Sequence, residues 1–277
     1  MTVLLMTALI GVGAFAAGLL GALTGLGGGI IVVPLLTLAF GVDVRYAIGA
    51  SLVSVIATSS GAAAAYVKEG YTNIRVGMLL EVATTIGALA GVAVAALVSA
   101  NTIEILFAFV LLFTAAQSLR PQAEHLTGSS SPLAQRLRLA STYPTPTGLQ
   151  QYEVRGVPLG FLLMFLAGAL SALLGIGSGV VKVLAMDRAM HLPFKVSTTT
   201  SNFMIGVTAA ASAGVYLNRG YIDPGLALPV TLGVLAGALV GARILTAART
   251  RELRLLFTVV MVVIGAWMFY KGVVGGA

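Results

Sequence analysis

Glycines at positions 18, 25, 27 and 29 return at positions 168, 175, 177 and 179, each displaced by 150. The same displacement carries Arg45 to Lys195, Ser51 to Ser201 and Thr58 to Thr208, and Tyr66, Gly70 and Tyr71 to Tyr216, Gly220 and Tyr221. It continues through Gly87 and Gly91, matched by Gly237 and Gly241, and through Leu106 and Phe107, matched by Leu256 and Phe257. No insertion interrupts the register. The chain is therefore two copies of one unit, and whatever one copy folds into the other must also be able to form.

Composition says what that unit is. Of 277 residues 58% are hydrophobic and only 9% charged, with mean hydropathy +1.01, whereas soluble domains carry about 25% charged residues. A bilayer core of about 30 Å needs roughly 20 apolar residues per helix. Runs of that kind lie near residues 3–24, 46–67, 74–98, 102–119, 157–175, 196–217, 225–247 and 253–274. Two shorter apolar pieces, near 29–41 and 179–190, follow the glycine clusters. The expectation is an all-α polytopic membrane protein, each copy a glycine-broken helix hairpin followed by three spanning helices.

Between the copies, residues 121–155 are polar and rich in Ser, Thr and Pro, which predicts an exposed linker between a first repeat at 1–120 and a second at 156–277. Arg120, Arg136, Arg138 and Arg155 flank it, so the positive-inside rule makes it cytoplasmic. Counting spans outward then puts the uncharged 99–103 turn outside. Its counterpart in the second copy, bearing Arg249, Arg251 and Arg254, falls inside. Similar sequence with opposite charge bias predicts inverted topology, an architecture common among secondary transporters. Both termini would be extracytoplasmic, with Arg45 the one contrary charge. The opening stretch has no Lys or Arg before its apolar run and is expected to be a retained first span.

The clusters "GLGGG" (Gly25, Gly27, Gly28, Gly29) and "GIGSG" (Gly175, Gly177, Ser178, Gly179) break their helices within the apolar region. Unpaired backbone is tolerated there only inside protein or beside a water-filled cavity, and a helix starting at such a break directs free N–H groups and its positive dipole end inward. That combination suits an anion; close helix packing through small residues is the competing use of the same glycines. Lys182 lies three residues past Gly179, where the first copy has Val32, and would reinforce an anion site unless it snorkels to the interface. Glu81, inside the 74–98 run, is a candidate to carry a coupling proton. Arg45 and Lys195 are paired by the repeat and are gating or coupling candidates. Thr200, Ser201 and Asn202, with Ser51 in the first copy, supply hydroxyl and amide groups that can bind anionic oxygens, although such hydroxyls often bond back to their own helix.

Several chemistries are excluded. Ile30 stands where a dinucleotide loop opening at Gly25 needs its third glycine, and no phosphate-loop motif is present, so neither nucleotide cofactor nor direct ATP coupling is expected. Cysteine is absent and the two histidines, His125 and His191, lie in loop-like sequence, so no metal centre and no cofactor is expected. An intramembrane hydrolase would need an activated nucleophile with a base, and no span offers the pair. The net charge of +7 comes from basic residues scattered through connections, which orient spans and do not form a nucleic-acid surface.

The pairing of "GLLGALTGLGGGIIVVPLL" with "GALSALLGIGSGVVKVL", each followed by Arg or Lys and then a Ser-bearing helix, resembles the TauE/SafE family of membrane permeases, often called sulfite exporters. The resemblance spans both repeats. It implies a permease of the bacterial inner membrane moving small sulfur-containing anions, sulfite or an organosulfonate such as sulfoacetate. The family's glycine-rich segments fall on Gly25 to Gly29 and Gly175 to Gly179. Here Ser178 replaces the glycine found at Gly28, and Leu184 stands where the first copy has Pro34. A carrier or channel for another small anion, such as a carboxylate, is the alternative. The expected partners are the anion and the bilayer, with coupling to protons or sodium and assembly as a homodimer both left open.

Overall fold

The computed structural model describes residues 3–24, 28–118, 130–145, 148–245 and 250–274. The apolar runs are helical, because a backbone in hydrocarbon has to satisfy its own hydrogen bonds. The first copy contains α1 (Val3–Thr24), α2 (Gly29–Pro34), α3 (Val44–Lys68), α4 (Ile74–Leu97) and α5 (Ala100–Ser118). The second contains α7 (Val157–Leu174), α8 (Gly179–Leu184), α9 (Phe194–Asn218), α10 (Pro224–Leu245) and α11 (Thr250–Val274). Between them lie a short helix α6 (Pro132–Arg136) and a hairpin of β1 (Ser141–Thr145) and β2 (Gly148–Tyr152).

Segments within α4, α5, α7 and α10 are long and apolar enough to cross a bilayer. This is a multi-pass membrane protein. Helices α3 and α9 are 25 residues each but rich in Ser and Thr. They pack on each other and are flanked by α10 and α4, which keeps most of their hydroxyls away from lipid.

Helix α1 packs on α10, α4 on α7, α3 on α9 and α5 on α11. Exchanging the copies turns the first pair into the second and leaves the other two unchanged. The contacts repeat at residue level. Gly18 lies against the Val234 carbonyl and Gly168 against the Thr84 carbonyl; Gly87 lies against Phe165 and Gly237 against Phe15. A side chain at any of these four would meet backbone oxygen, so the glycines let helices approach as small residues do in membranes. The central pair runs antiparallel: Tyr46 at the start of α3 meets Tyr221 beyond the end of α9, edge-on at 5.6 Å, and Ser59 faces Gly206 further along.

Each short helix widens into a π-turn, Leu35–Ala39 after α2 and Ala185–Ala189 after α8. The same bond follows both turns: the Val42 N–H donates to the Leu36 carbonyl and the Leu192 N–H to the Met186 carbonyl, each at 3.0 Å. Pro34 precedes the first turn and Leu184 the second, so proline is not the cause of the widening. At the second break Gly175, Gly177 and Ser178 have φ of 69°, 68° and 44°. Glycine adopts this left-handed backbone readily, and Ser178 does so at a cost.

The stretch after residue 130 departs from the expected exposed linker. Leu139, Tyr143, Tyr152 and Val154 are buried with Val76, Leu80, Met190 and Leu192 in a second apolar core. Polar composition hid four apolar side chains that the hairpin brings to one surface. Asn73 fastens this module: its Oδ1 caps α4 by accepting from the Val76 N–H, while its Nδ2 donates to the Leu139 carbonyl (2.9 Å) and the Tyr152 hydroxyl (2.7 Å). Burial pushes the Tyr152 phenol up to about 12.

Candidate functional site

The two helix breaks meet at one hydroxyl. Ser51 Oγ, on α3, lies 2.6 Å from the Gly175 carbonyl oxygen and 3.2 Å from that of Gly29. It donates to the nearer. Gly29 fits beneath Val55 and Ser51, and Gly28 fits against Gly18 and Val234, so the described part of the first cluster serves close packing. Gly25 and Gly27 lie outside the described residues.

The second cluster is built differently. Gly175 packs against Ile48 and Gly177 against Ile205 and Val55. Ser178 Oγ donates to the Ala167 carbonyl at 2.7 Å, so its hydrogen is already engaged inside the hairpin. Ser201 Oγ lies 3.3 Å from the Gly179 carbonyl, the counterpart of the 3.2 Å contact between Ser51 and Gly29. Thr200 Oγ1 accepts the Asn73 N–H at 3.0 Å, tying it to the docked hairpin, and Asn202 is half-buried on the neighbouring face of α9. Ile30, Val110, Thr114, Ile176, Ser178 and Gly179 line a small cavity beside the break.

One turn into α8, Lys182 is completely buried. Its Nζ donates to Thr208 Oγ1 at 2.7 Å, and Thr208 lies 2.7 Å from Glu81 Oε1 on α4. Thr85 donates to the same carboxylate oxygen at 3.2 Å, and Thr84 stands 3.4 Å from Thr208. Three helices thus contribute an ammonium, a hydroxyl and a carboxylate in line. Two charges removed from water are tolerable only as a compensated set, and both Lys182 and Glu81 are buried within the helix bundle. Glu81 Oε2 is buried and meets no donor.

The positions equivalent by the repeat are Val32 and Thr58 in the first copy and Thr231 in the second. Thr58 bonds back to its own helix and Thr231 Oγ1 is buried without a partner. The ionic arrangement therefore exists at one of two repeat-related places, built by α4 of the first copy with α8 and α9 of the second.

Arg45 and Lys195 form the opposite case. Arg45 lies over the Tyr221 ring at 5.9 Å and Lys195 over the Tyr71 ring at 4.9 Å, related by the displacement of the repeat. Arg45 also donates to the Val98 carbonyl. Both stand at helix starts, apart from the Lys182 group. Sequence reasoning missed Thr208, Thr84 and Asn73. Thr208 was within reach, since it lies seven residues past Ser201 and so on the same helical face.

A family model described as Sulfite exporter TauE/SafE matches residues 9–268. Among similar proteins, "Probable membrane transporter protein YunE" of Bacillus subtilis is 27% identical over 93% of this chain and 95% of its own. "Probable membrane transporter protein MJ0441" of Methanocaldococcus jannaschii is 26% identical over 96% of each chain. No solved structure matches. With nearly its whole length matched, glycine breaks included, this chain belongs to the TauE/SafE sulfite exporter family of membrane transporters.

Proposed function

We propose that the protein is a secondary carrier that moves a small sulfur-containing anion, sulfite or an organosulfonate such as sulfoacetate, across the bacterial inner membrane by alternating access. The observation that carries this reading is Lys182, a fully buried cation beside hydroxyls one turn from the second helix break. A charge at that depth costs about 2.5–3.5 kcal/mol on the insertion scale. Binding an anion gives a reason to keep it.

Repeat-related contacts and the antiparallel course of α3 and α9 support inverted topology, with the hairpin module on the cytoplasmic side. Two packings of the same helices, one open to each side, follow naturally from such an arrangement. The anion is held by Lys182 and Thr208, with the backbone of the Gly175 to Gly179 break and Ser201 close by. Ser51 acts from the other copy by holding the Gly175 carbonyl, and the carbonyl it occupies cannot then repel an anion at close range.

Counterflow in liposomes tests the reading, using labelled sulfite and sulfoacetate with acetate as competitor. Saturable counterflow blocked by sulfonates but not by acetate supports it. Counterflow blocked equally by acetate moves the substrate to carboxylates, and flux without saturation makes the protein a channel.

A further inference from the structure

Glu81 is the group most in need of explanation in an anion carrier, because a carboxylate within reach of the binding cation competes with the substrate. From the arrangement of Lys182, Thr208 and Glu81 we infer that Glu81 is a built-in counter-ion, released by one proton whenever an anion binds, so that each anion crosses together with a proton. This rests on the carrier reading and specifies its coupling ion.

With Glu81 ionised, the group of Lys182, Thr208 and Glu81 has no net charge and exerts little pull on an incoming anion. A proton on the carboxylate leaves one uncompensated positive charge, held on Lys182. Geometry favours Oε2 as the atom that receives it. Oε1 already has Thr208 and Thr85 as donors, whereas Oε2 is buried and meets no donor. Thr208 Oγ1 also has a second acceptor, the Met204 carbonyl at 3.0 Å. Its hydrogen can turn from Glu81 to Met204 when the carboxylate is neutralised, while the oxygen goes on accepting from Lys182. Protonation then changes the charge of the site without dismantling it.

A sodium ion is a poorer fit. Thr208 already accepts from the Lys182 ammonium and donates to Glu81, and a second cation beside that ammonium would be repelled. Other charged groups of the packed elements are engaged elsewhere. Arg75 donates to the Arg138 carbonyl, Lys195 sits on the Tyr71 ring, Arg219 donates to the Val92 carbonyl, and Asp187 and Arg188 belong to the π-turn beyond α8. Lys182 is the charge that faces Glu81.

The test is proton movement during transport. Proteoliposomes in weak buffer, with a pH-sensitive dye, receive a pulse of sulfoacetate. One proton per anion is expected to follow it. Over the range in which Glu81 is ionised, the half-saturating concentration should rise by about tenfold per pH unit, the slope of one linked proton. In Glu81→Gln, which is permanently neutral, that pH dependence should vanish whatever the remaining rate. Net sulfoacetate uptake without proton movement in the unaltered protein, or an unchanged pH slope in Glu81→Gln, overturns the coupling and leaves the carrier reading standing. Absence of counterflow with every anion tried overturns the carrier reading, and the coupling with it.

Discussion

The Ser51 hydroxyl closes on the Gly175 carbonyl at 2.6 Å, so that a helix of the first copy holds the helix break of the second. Ser201, its equivalent in the repeat, lies 3.3 Å from the Gly179 carbonyl of its own copy, as Ser51 lies 3.2 Å from that of Gly29. Ser51→Ala should cost about 1–3 kcal/mol, the penalty of a buried carbonyl losing its donor, and Ser60→Ala, which removes an exposed hydroxyl bonded back to its own helix, less. Unfolding of both variants in mixed micelles, followed by circular dichroism, measures the difference.

Helix contact through glycine gives a second prediction. An added Cβ at Gly168 meets the Thr84 carbonyl, which is backbone and cannot turn aside, whereas Gly214 in α9 is exposed with nothing near it. Gly168→Ala should separate α4 from α7 and reduce the yield of monodisperse protein on size-exclusion chromatography. Gly214→Ala should be neutral or slightly stabilising, because alanine favours a helix over glycine by about 1 kcal/mol.

Removing one member of a buried ionic set is worse than removing both. Lys182→Met strands Glu81 in the interior and should lower stability by about 3–5 kcal/mol, on the scale seen when one partner of a buried pair is deleted. Adding Glu81→Gln to Lys182→Met should recover part of that loss without recovering anion binding. A double-mutant cycle read by micelle unfolding and by sulfoacetate binding separates the structural role of the pair from the role of the cation.

The docked hairpin should respond to high pH. Tyr152 ionises at about 12 when folded, raised by burial from the ordinary 10. Its contribution to docking is thus fully present below pH 10 and is lost as pH rises from 10 through about 12. The protection of amides 148–155 against exchange, taken relative to the base-catalysed intrinsic rate, should fall across that window. In Tyr152→Phe exchange should be faster at neutral pH and the window should disappear.

The helical scaffold was readable because hydrocarbon leaves the chain few choices. Val3–Thr24, Ile74–Leu97 and Val157–Leu174 lie within a few residues of the apolar runs that predicted them. The glycine displacement pointed to contacts as well as to repeats, since Gly18 and Gly168 do the same thing in each copy. Lys182 and Glu81 were each conspicuous as charges in apolar sequence, but nothing in their spacing joins residues a hundred positions apart. Only the meeting of α4, α8 and α9 does that, and Thr208 is invisible as a bridge until they meet. The hairpin was hidden for a different reason: Tyr143 and Tyr152 look polar in a serine-rich segment and become core when strand pairing brings them together.

A duplicated chain carries its own control experiment. Val32, Thr58 and Thr231 occupy the seats of Lys182, Thr208 and Glu81 in a second environment of nearly the same shape. A saturation mutagenesis map of this protein can therefore be folded back on itself at a displacement of 150 and one half subtracted from the other. Positions that only build the bundle, such as Gly18 and Gly168, should cancel. What survives the subtraction is chemistry that the halves do not share, and it should centre on Lys182 of one and Glu81 of the other.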